Sequence, residues 1–154
     1  MFDISGFASV VRLTATSTFP NGFDVTEFAD DADAIEITDL TVGDTGMGLN
    51  GDLLVWSRPA VIEFAVNVIP GSQADVNCGI LLEANRVAKG KRSARDVISA
   101  VANYSTGEIV TLSKGKIITG TVIPGIQQTG RIRTKTYRVR FENVSKTGVD
   151  NKEI

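Results

Sequence analysis

Apolar side chains along most of this sequence recur at spacings that suit strands, not helices. "GFASVVRLTATSTF" (6–19) mixes Val, Leu, Phe and Thr without helical spacing. "PNG" (20–22) is a turn signal, and "FDVTEF" (23–28) alternates with period two. "ADDADA" (29–34) is acidic and predicts a loop. "IEITDLTV" (35–42) places Ile35 and Ile37 on one face and Glu36 and Thr38 on the other. "DLLVWS" (52–57) and "AVIEFAVNVI" (60–69) are rich in branched and aromatic residues, and Pro59 between them argues against one continuous helix.

One segment predicts a helix, from about 73 to 88. Ser72 is its N-cap and Asp75 stands at the capping-box position. Val76, Ile80, Ala84 and Val87 supply an apolar stripe, and Gly90 is the expected terminator. Strands then resume at "VISAVANY" (97–104), "EIVTLS" (108–113), "KIITGTVI" (116–123) and "RIRTKTYRVRFENV" (131–144). Turns are expected at 105–107 and at Lys114-Gly115, and a loop over 124–130. About nine strands and one helix predict a mainly β fold, an antiparallel β-sandwich or barrel with one flanking α-helix. No linker or internal repeat divides residues 1–154, so a single domain is expected.

Between the third and fourth of these strands lies Gly46-Met47-Gly48-Leu49-Asn50-Gly51, which fits G-x-G-x-x-G letter for letter. A dinucleotide site needs a helix opening at that turn, because the pyrophosphate rests on the helix N-terminus. Here Asp52 leads into Leu-Leu-Val-Trp and then Pro59, and no βαβ alternation surrounds it. The glycines therefore predict a flexible or tightly turning loop that lies flat against its own sheet or a neighbouring chain. Asn50-Gly51 is itself a hairpin signal.

Composition narrows the chemistry. The chain has no histidine, which removes Ser-His and Cys-His pairs and most zinc and iron sites. Its one cysteine, Cys78, permits no internal disulfide and reads as a small buried hydrophobe on the helix. The acids at 30, 31 and 33 do not match a calcium loop. No enzyme activity, metal or cofactor is expected. The apolar stretch at 60–71 is too short to span a bilayer, and the N-terminus lacks a secretory pattern, so a soluble protein of a reducing cytoplasm is expected.

The charge is lopsided although the net value is only −2. Residues 1–57 hold ten acids and one base, Arg12, for −9; residues 58–154 hold eight acids and fifteen bases, for +7. Such a chain can fold its halves together, or attract the opposite face of a copy of itself. The run "RVAKGKRSAR" (86–95) concentrates Arg86, Lys89, Lys91, Arg92 and Arg95. It lacks the interleaved aromatics of a single-strand nucleic-acid site, and a solvated loop or a docking patch for an acidic surface fits it better than direct nucleic-acid binding. In the last strand, Arg131, Arg133 and Lys135 share a side with Tyr137, Val139 and Phe141. Either the strand passes from one environment into another, or a β-bulge near Thr136 shifts its register.

"FPNGFDVTEFADDAD", "GLNGDLLVWSRP", "VIPGSQADVNCGILLEANR" and "KGK" together resemble the tail tube proteins of contractile-tailed bacteriophages, over roughly residues 18–145. The inner tube of type VI secretion is a related assembly. The resemblance implies a β-sandwich with a flanking helix, built into hexameric rings that stack head to tail. It implies a lumen that carries the tape measure protein and then the DNA, with the tail sheath outside. Expected localisation is the virion tail, after assembly in the host cytoplasm, with no membrane anchoring by this chain. On this reading Gly46, Gly48, Asn50, Gly51, Arg86, Lys89, Arg92, Arg131, Arg133 and Lys135 are candidates for contacts between subunits. Glu36, Asp39, Asp44 and Asp52 are candidates for the lumen, where acids would repel phosphates. The alternatives are a tube terminator or baseplate hub, and a nucleic-acid-binding module through 86–95.

Overall fold

The computed structural model describes residues 10–28, 35–37, 39–104, 107–126, 128 and 130–147. The strands are β1 (Val10–Ala15), β2 (Phe19–Val25), β3 (Ile35–Ile37), β4 (Gly43–Met47), β5 (Leu53–Ser57), β6 (Ile62–Val68), β7 (Ile98–Asn103), β8 (Ile109–Gly120) and β9 (Lys135–Thr147). The one helix, α1, spans Gln73–Asn85. Seven strands form an antiparallel sheet in the order β2-β1-β7-β8-β9-β6-β3, while β4 and β5, among the described residues, pair only with each other.

The large sheet rolls up. Phe28, three residues past β2, bridges to Val68 at the end of β6, and the amide of Ile69 donates to the carbonyl of Glu27 at 3.1 Å. The chain beyond one edge strand thus reaches a strand near the other edge, as in a barrel. One continuous core fills the roll, with Val11, Leu13, Phe64, Ile98, Val139 and Phe141 among its members. Alternation along β1, β2, β7 and β9 aims every second residue inward, as period two requires. The mainly β architecture with one flanking helix matches the expectation from sequence.

Several local expectations are corrected. "PNG" at 20–22 is not the hairpin turn; the chain reverses at 16–18, and Pro20, Asn21 and Gly22 lie inside β2 as a bulge opposite β1. Gly22 has φ +76, and a Cβ there would meet the Leu13 carbonyl oxygen at 2.9 Å. Lys114-Gly115 is likewise no turn: β8 runs unbroken from 109 to 120, with a register shift against β7 at this point. The long pairing with β9 holds both halves of β8 in one ladder, which outweighs the local glycine signal. At Gly115 a Cβ would stand 2.4 Å from the Phe141 ring, so the missing side chain makes room for the aromatic.

Helix α1 stops at Asn85, short of 88, and Gly90 lies in a separate small turn closed by a bridge between Ala88 and Lys91. Its apolar stripe also sits elsewhere than expected. Ala74, Cys78 and Leu81 face the core, while Val76 and Ile80 are about half exposed, at 48% and 49%. Cys78 is buried as expected, and burial, with the Asp75 charge second, pushes its thiol up to about 12.

Strand β9 starts at 135, not 131, and pairs with β6 in unbroken register from Lys135 to Phe141. No shift occurs at Thr136; the irregularity lies across the ladder in β8, between Ile117 and Thr119. The acidic stretch 29–34 and the turn residues 105–106 lie outside the described residues, as do residues 6–9 of the first segment and Thr38 of the third.

Candidate assembly surfaces

The glycine stretch builds an arm. Gly43 pairs with Ser57, Asp44 with Trp56, Thr45 with Val55, Gly46 with Leu54 and Met47 with Leu53. Half of the expected loop is therefore strand β4, and only residues 48–51 turn. Gly51 (φ +86) donates its amide to the carbonyl of Gly48 at 3.0 Å, and the Gly48 amide donates to Asp52 at 2.8 Å. The indole of Trp56 passes 3.5 Å from where a Cβ of Gly46 would stand. Within this hairpin Gly51, in left-handed backbone, closes the turn, while the indole lies at ordinary contact distance over Gly46. Asn50 is exposed in the turn.

This hairpin is apolar on both sides. Directly opposed residues share a face, so Met47, Leu53, Thr45 and Val55 form one side and Gly46, Leu54, Asp44 and Trp56 the other. Exposure reaches 70% at Met47, 69% at Val55, 62% at Leu53 and 52% at Trp56. An isolated two-stranded hairpin is marginal in water, and a contiguous exposed apolar patch marks an interaction site. At its base the Arg58 guanidinium holds Asp44 at 2.9 Å.

The basic run divides into structural and outward-facing members. Arg86 donates to Glu83 at 2.8 Å, and Lys91 Nζ donates to the carbonyl of Arg86 at 2.7 Å and also to that of Glu83. Lys91 thus caps carbonyls at the helix end, where a cation suits the dipole. Lys89, Arg92 and Arg95 are exposed. Arg95 and Lys114 hold left-handed backbone, at φ 53 and 55.

Of the remaining cationic candidates, Lys135 belongs to the interior. Its Nζ lies 3.1 Å from Asp75, whose carboxylate also accepts from the Tyr137 hydroxyl at 2.8 Å and the Gly71 amide at 2.8 Å. Burial alone would raise the Asp75 pKa, but those donors outweigh it and hold the group below its ordinary value. Tyr137 is raised in turn, by burial first and by Asp75 second. This places Lys135 on the same inward face as Tyr137, Val139 and Phe141, its charge met by the helix. Arg131 and Arg133 precede the strand; the Arg133 amide donates to Gly125 at 2.8 Å.

The four lumen candidates do not share one element. Glu36 sits on β3 beside the Asn67 amide at 3.5 Å, Asp39 follows β3, and Asp44 and Asp52 belong to the arm. Sequence reasoning missed Asp96. This buried carboxylate accepts from the amides of Ser17 (2.7 Å) and Thr18 (3.0 Å), the Thr18 hydroxyl and the Asn85 amide (2.9 Å). It ties the β1–β2 turn to the end of α1. Nothing in the run "SARDV" distinguishes it from a solvated acid, because its partners lie 11 and about 78 positions away.

No helix among the described residues is long and apolar enough to cross a membrane. A family model described as "Tail fiber protein gp32" matches residues 2–145. No curated protein matches the chain. Among solved structures, a chain of the anti-feeding prophage baseplate superposes with TM-score 0.59 at 13% identity, over 96% of this chain and 97% of that one. A chain from the tube-terminating cap of the same particle gives TM-score 0.59 at 13% identity, over 97% and 93%. A chain from the sheath–tube complex of the extracellular contractile injection system PVC gives 0.56 at 12% identity, over 96% and 93%. At these identities the likeness is one of fold.

Proposed function

We propose a function from one premise: the chain belongs to the family described as tail fiber protein gp32, and so is a phage-type tail protein. Within the tail, it is a structural subunit of the tube. Copies form hexameric rings, the rings stack head to tail, and the lumen carries the tape measure protein and then the DNA, with the sheath outside. The subunit works by assembling and performs no catalysis.

The observation that carries this reading is the β4–β5 arm, which leaves Met47, Leu53, Leu54, Val55 and Trp56 without cover in a single chain. A second copy would bury them at roughly 25 cal/mol per Å² of apolar surface. Stacked rings need a heterologous contact, in which one surface meets a different surface of the next copy. The acidic first third and the basic remainder suit such a contact and oppose wrong orientations.

Electron microscopy of the purified full chain tests it. Stacked hollow tubes with sixfold rings are expected. Single rings that never stack would favour a terminator or baseplate role, the kinds of assembly from which two of the superposed chains come. A strict monomer at high concentration would overturn self-assembly altogether. Salt-sensitive retention of the monomer on DNA, abolished by alanine at Arg86, Lys89 and Arg92, would favour the nucleic-acid-binding reading instead.

A further inference from the structure

A groove of about 810 Å³ opens on the side of the barrel between residues 87–97 and the middle of β8 and β9. Val87 and Val97, both exposed, give it an apolar floor. Arg95, Lys114, Lys116 and Arg140 surround it. Lys116 stands directly opposite Arg140 in the β8–β9 ladder, an arrangement of like charges that costs stability unless an anion lies between them. Arg140 has Glu63 at 4.0 Å, whereas Arg95, Lys114 and Lys116 have no carboxylate partner among the described residues. Asp96 also lines the groove, but its oxygens are taken up by Ser17, Thr18 and Asn85.

The arm has the opposite character. Residues 39–57 carry three acids, Asp39, Asp44 and Asp52, and no base. Asp44 is held by Arg58, which leaves Asp52 at the arm's turn as an exposed carboxylate beside Leu53. An acidic, apolar projection and a basic-rimmed, apolar groove therefore occur in one chain.

We propose that the β4–β5 arm of one copy seats in the Val87–Val97 groove of another copy, with Asp52 of the arm meeting Lys116 and its basic neighbours. This names the receiving surface for the self-assembly put forward above, and it rests on that reading. The contact is heterologous, since arm and groove are different surfaces, so each copy gives one arm and takes another, and successive contacts link more than two copies, closing into a ring or continuing along a stack according to the rotation between neighbours. Charge sets the direction, because an arm meeting another arm brings acids together.

Cysteine pairing across the contact is the direct test, on the full chain. Leu53→Cys with Val97→Cys should give, under mild oxidation, a ladder of disulfide-linked multimers on a non-reducing gel. Either substitution alone should give nothing above dimer. Cys78 does not interfere, being 1% exposed. In parallel, Lys116→Glu should raise the protein concentration needed for assembly at least tenfold, and Asp52→Lys in the same chain should recover most of that loss. Thermal melts of the variants confirm folding, since all four side chains lie on the surface. Protein that assembles by sedimentation yet shows no ladder, or an assembly threshold unmoved by Lys116→Glu, overturns this pairing and leaves the tube reading standing. Protein that never assembles overturns both.

Discussion

The hydroxyl of Tyr137 donates to the carboxylate of Asp75 at 2.8 Å, joining the middle of the last strand to the first turn of the helix across 62 positions of sequence. Tyr137 is 3% exposed and Asp75 4%. The same carboxylate accepts from Gly71, pairs with Lys135, and follows the Ser72 cap, so helix start and strand are fixed at one point. Tyr137→Phe leaves one carboxylate oxygen short of a donor in a buried place. The expected cost is about 1–3 kcal/mol in denaturant unfolding. Asp75→Ala should cost more, because it strands Lys135 as well as Tyr137.

The pH dependence follows in sign. The folded-state pKa of Asp75 is lowered, so its ionised form favours folding. That contribution is complete above the ordinary carboxylate value of about 3.9 and disappears as pH falls through the lowered folded value. Asp96 is lowered as well: burial raises it, and the Thr18, Ser17 and Asn85 hydrogen bonds more than reverse that. Acid titration of the wild type should lose stability steeply below pH ~4. In Asp75→Asn the slope over that window should be shallower; an unchanged slope would mean that Asp75 contributes nothing ionic to the fold.

Gly115 illustrates how close packing can look like a turn. The ring of Phe141 occupies the space a Cβ would need, at 2.4 Å, and the Ile98 carbonyl lies 3.0 Å away. Gly115→Ala should therefore destabilise by about 1–3 kcal/mol through overpacking. Phe141→Leu alone should destabilise too, but Gly115→Ala combined with Phe141→Leu should cost less than the sum of the two. Thermal melts of the four proteins measure the coupling, and simple additivity would show that the ring is not the obstacle.

What the sequence made legible was whatever depends on neighbours within a few residues. The Ser72 cap with Asp75 three positions on, the alternation in "FDVTEF" and the Asn50-Gly51 hairpin all appear where expected. What failed depends on distant partners. The glycines at 22 and 115 signal turns locally, yet Gly22 lies in a bulge against the Leu13 carbonyl and Gly115 stands opposite Phe141 in a long ladder. Arg131, Arg133 and Lys135 looked alike, but Lys135 lies within the strand and reaches the buried carboxylate of Asp75, 60 positions earlier. The arm was visible as a glycine cluster, while its lack of cover is a tertiary fact that no periodicity carries. Asp96 gave no local sign because every oxygen is satisfied from β1–β2 and α1.

The helix phase makes a sharper contrast. The stripe read from sequence, Val76–Ile80–Ala84–Val87, turns mostly outward, whereas Ala74, Cys78 and Leu81 enter the core. Both sets have helical spacing, so spacing could not choose between them. Leu81→Ala should cost about 2–5 kcal/mol, as expected for a fully buried leucine. Ile80→Ser, one position earlier and half exposed, should stay within about 0.5 kcal/mol of the wild type. Equal losses at the two positions, by urea unfolding of the unassembled chain, would contradict the orientation of α1.

Trp56 offers a spectroscopic reading of the arm. It is the single tryptophan of the chain, and 52% of it is open to solvent. Its ring lies over Gly46 on a hairpin that no other strand among the described residues covers. In dilute protein its emission should sit at the long wavelength of a wetted indole. If arms are buried between copies, raising the concentration should move the emission to shorter wavelength and reduce quenching by iodide, in step with assembly measured by light scattering. Gly46→Val adds branched bulk beyond a Cβ that would already touch the ring at 3.5 Å, and should weaken both responses together while the barrel core, which contains no part of the arm, keeps its melting temperature. Emission that stays constant while scattering rises would mean that copies join through some other surface, with the arm left in water.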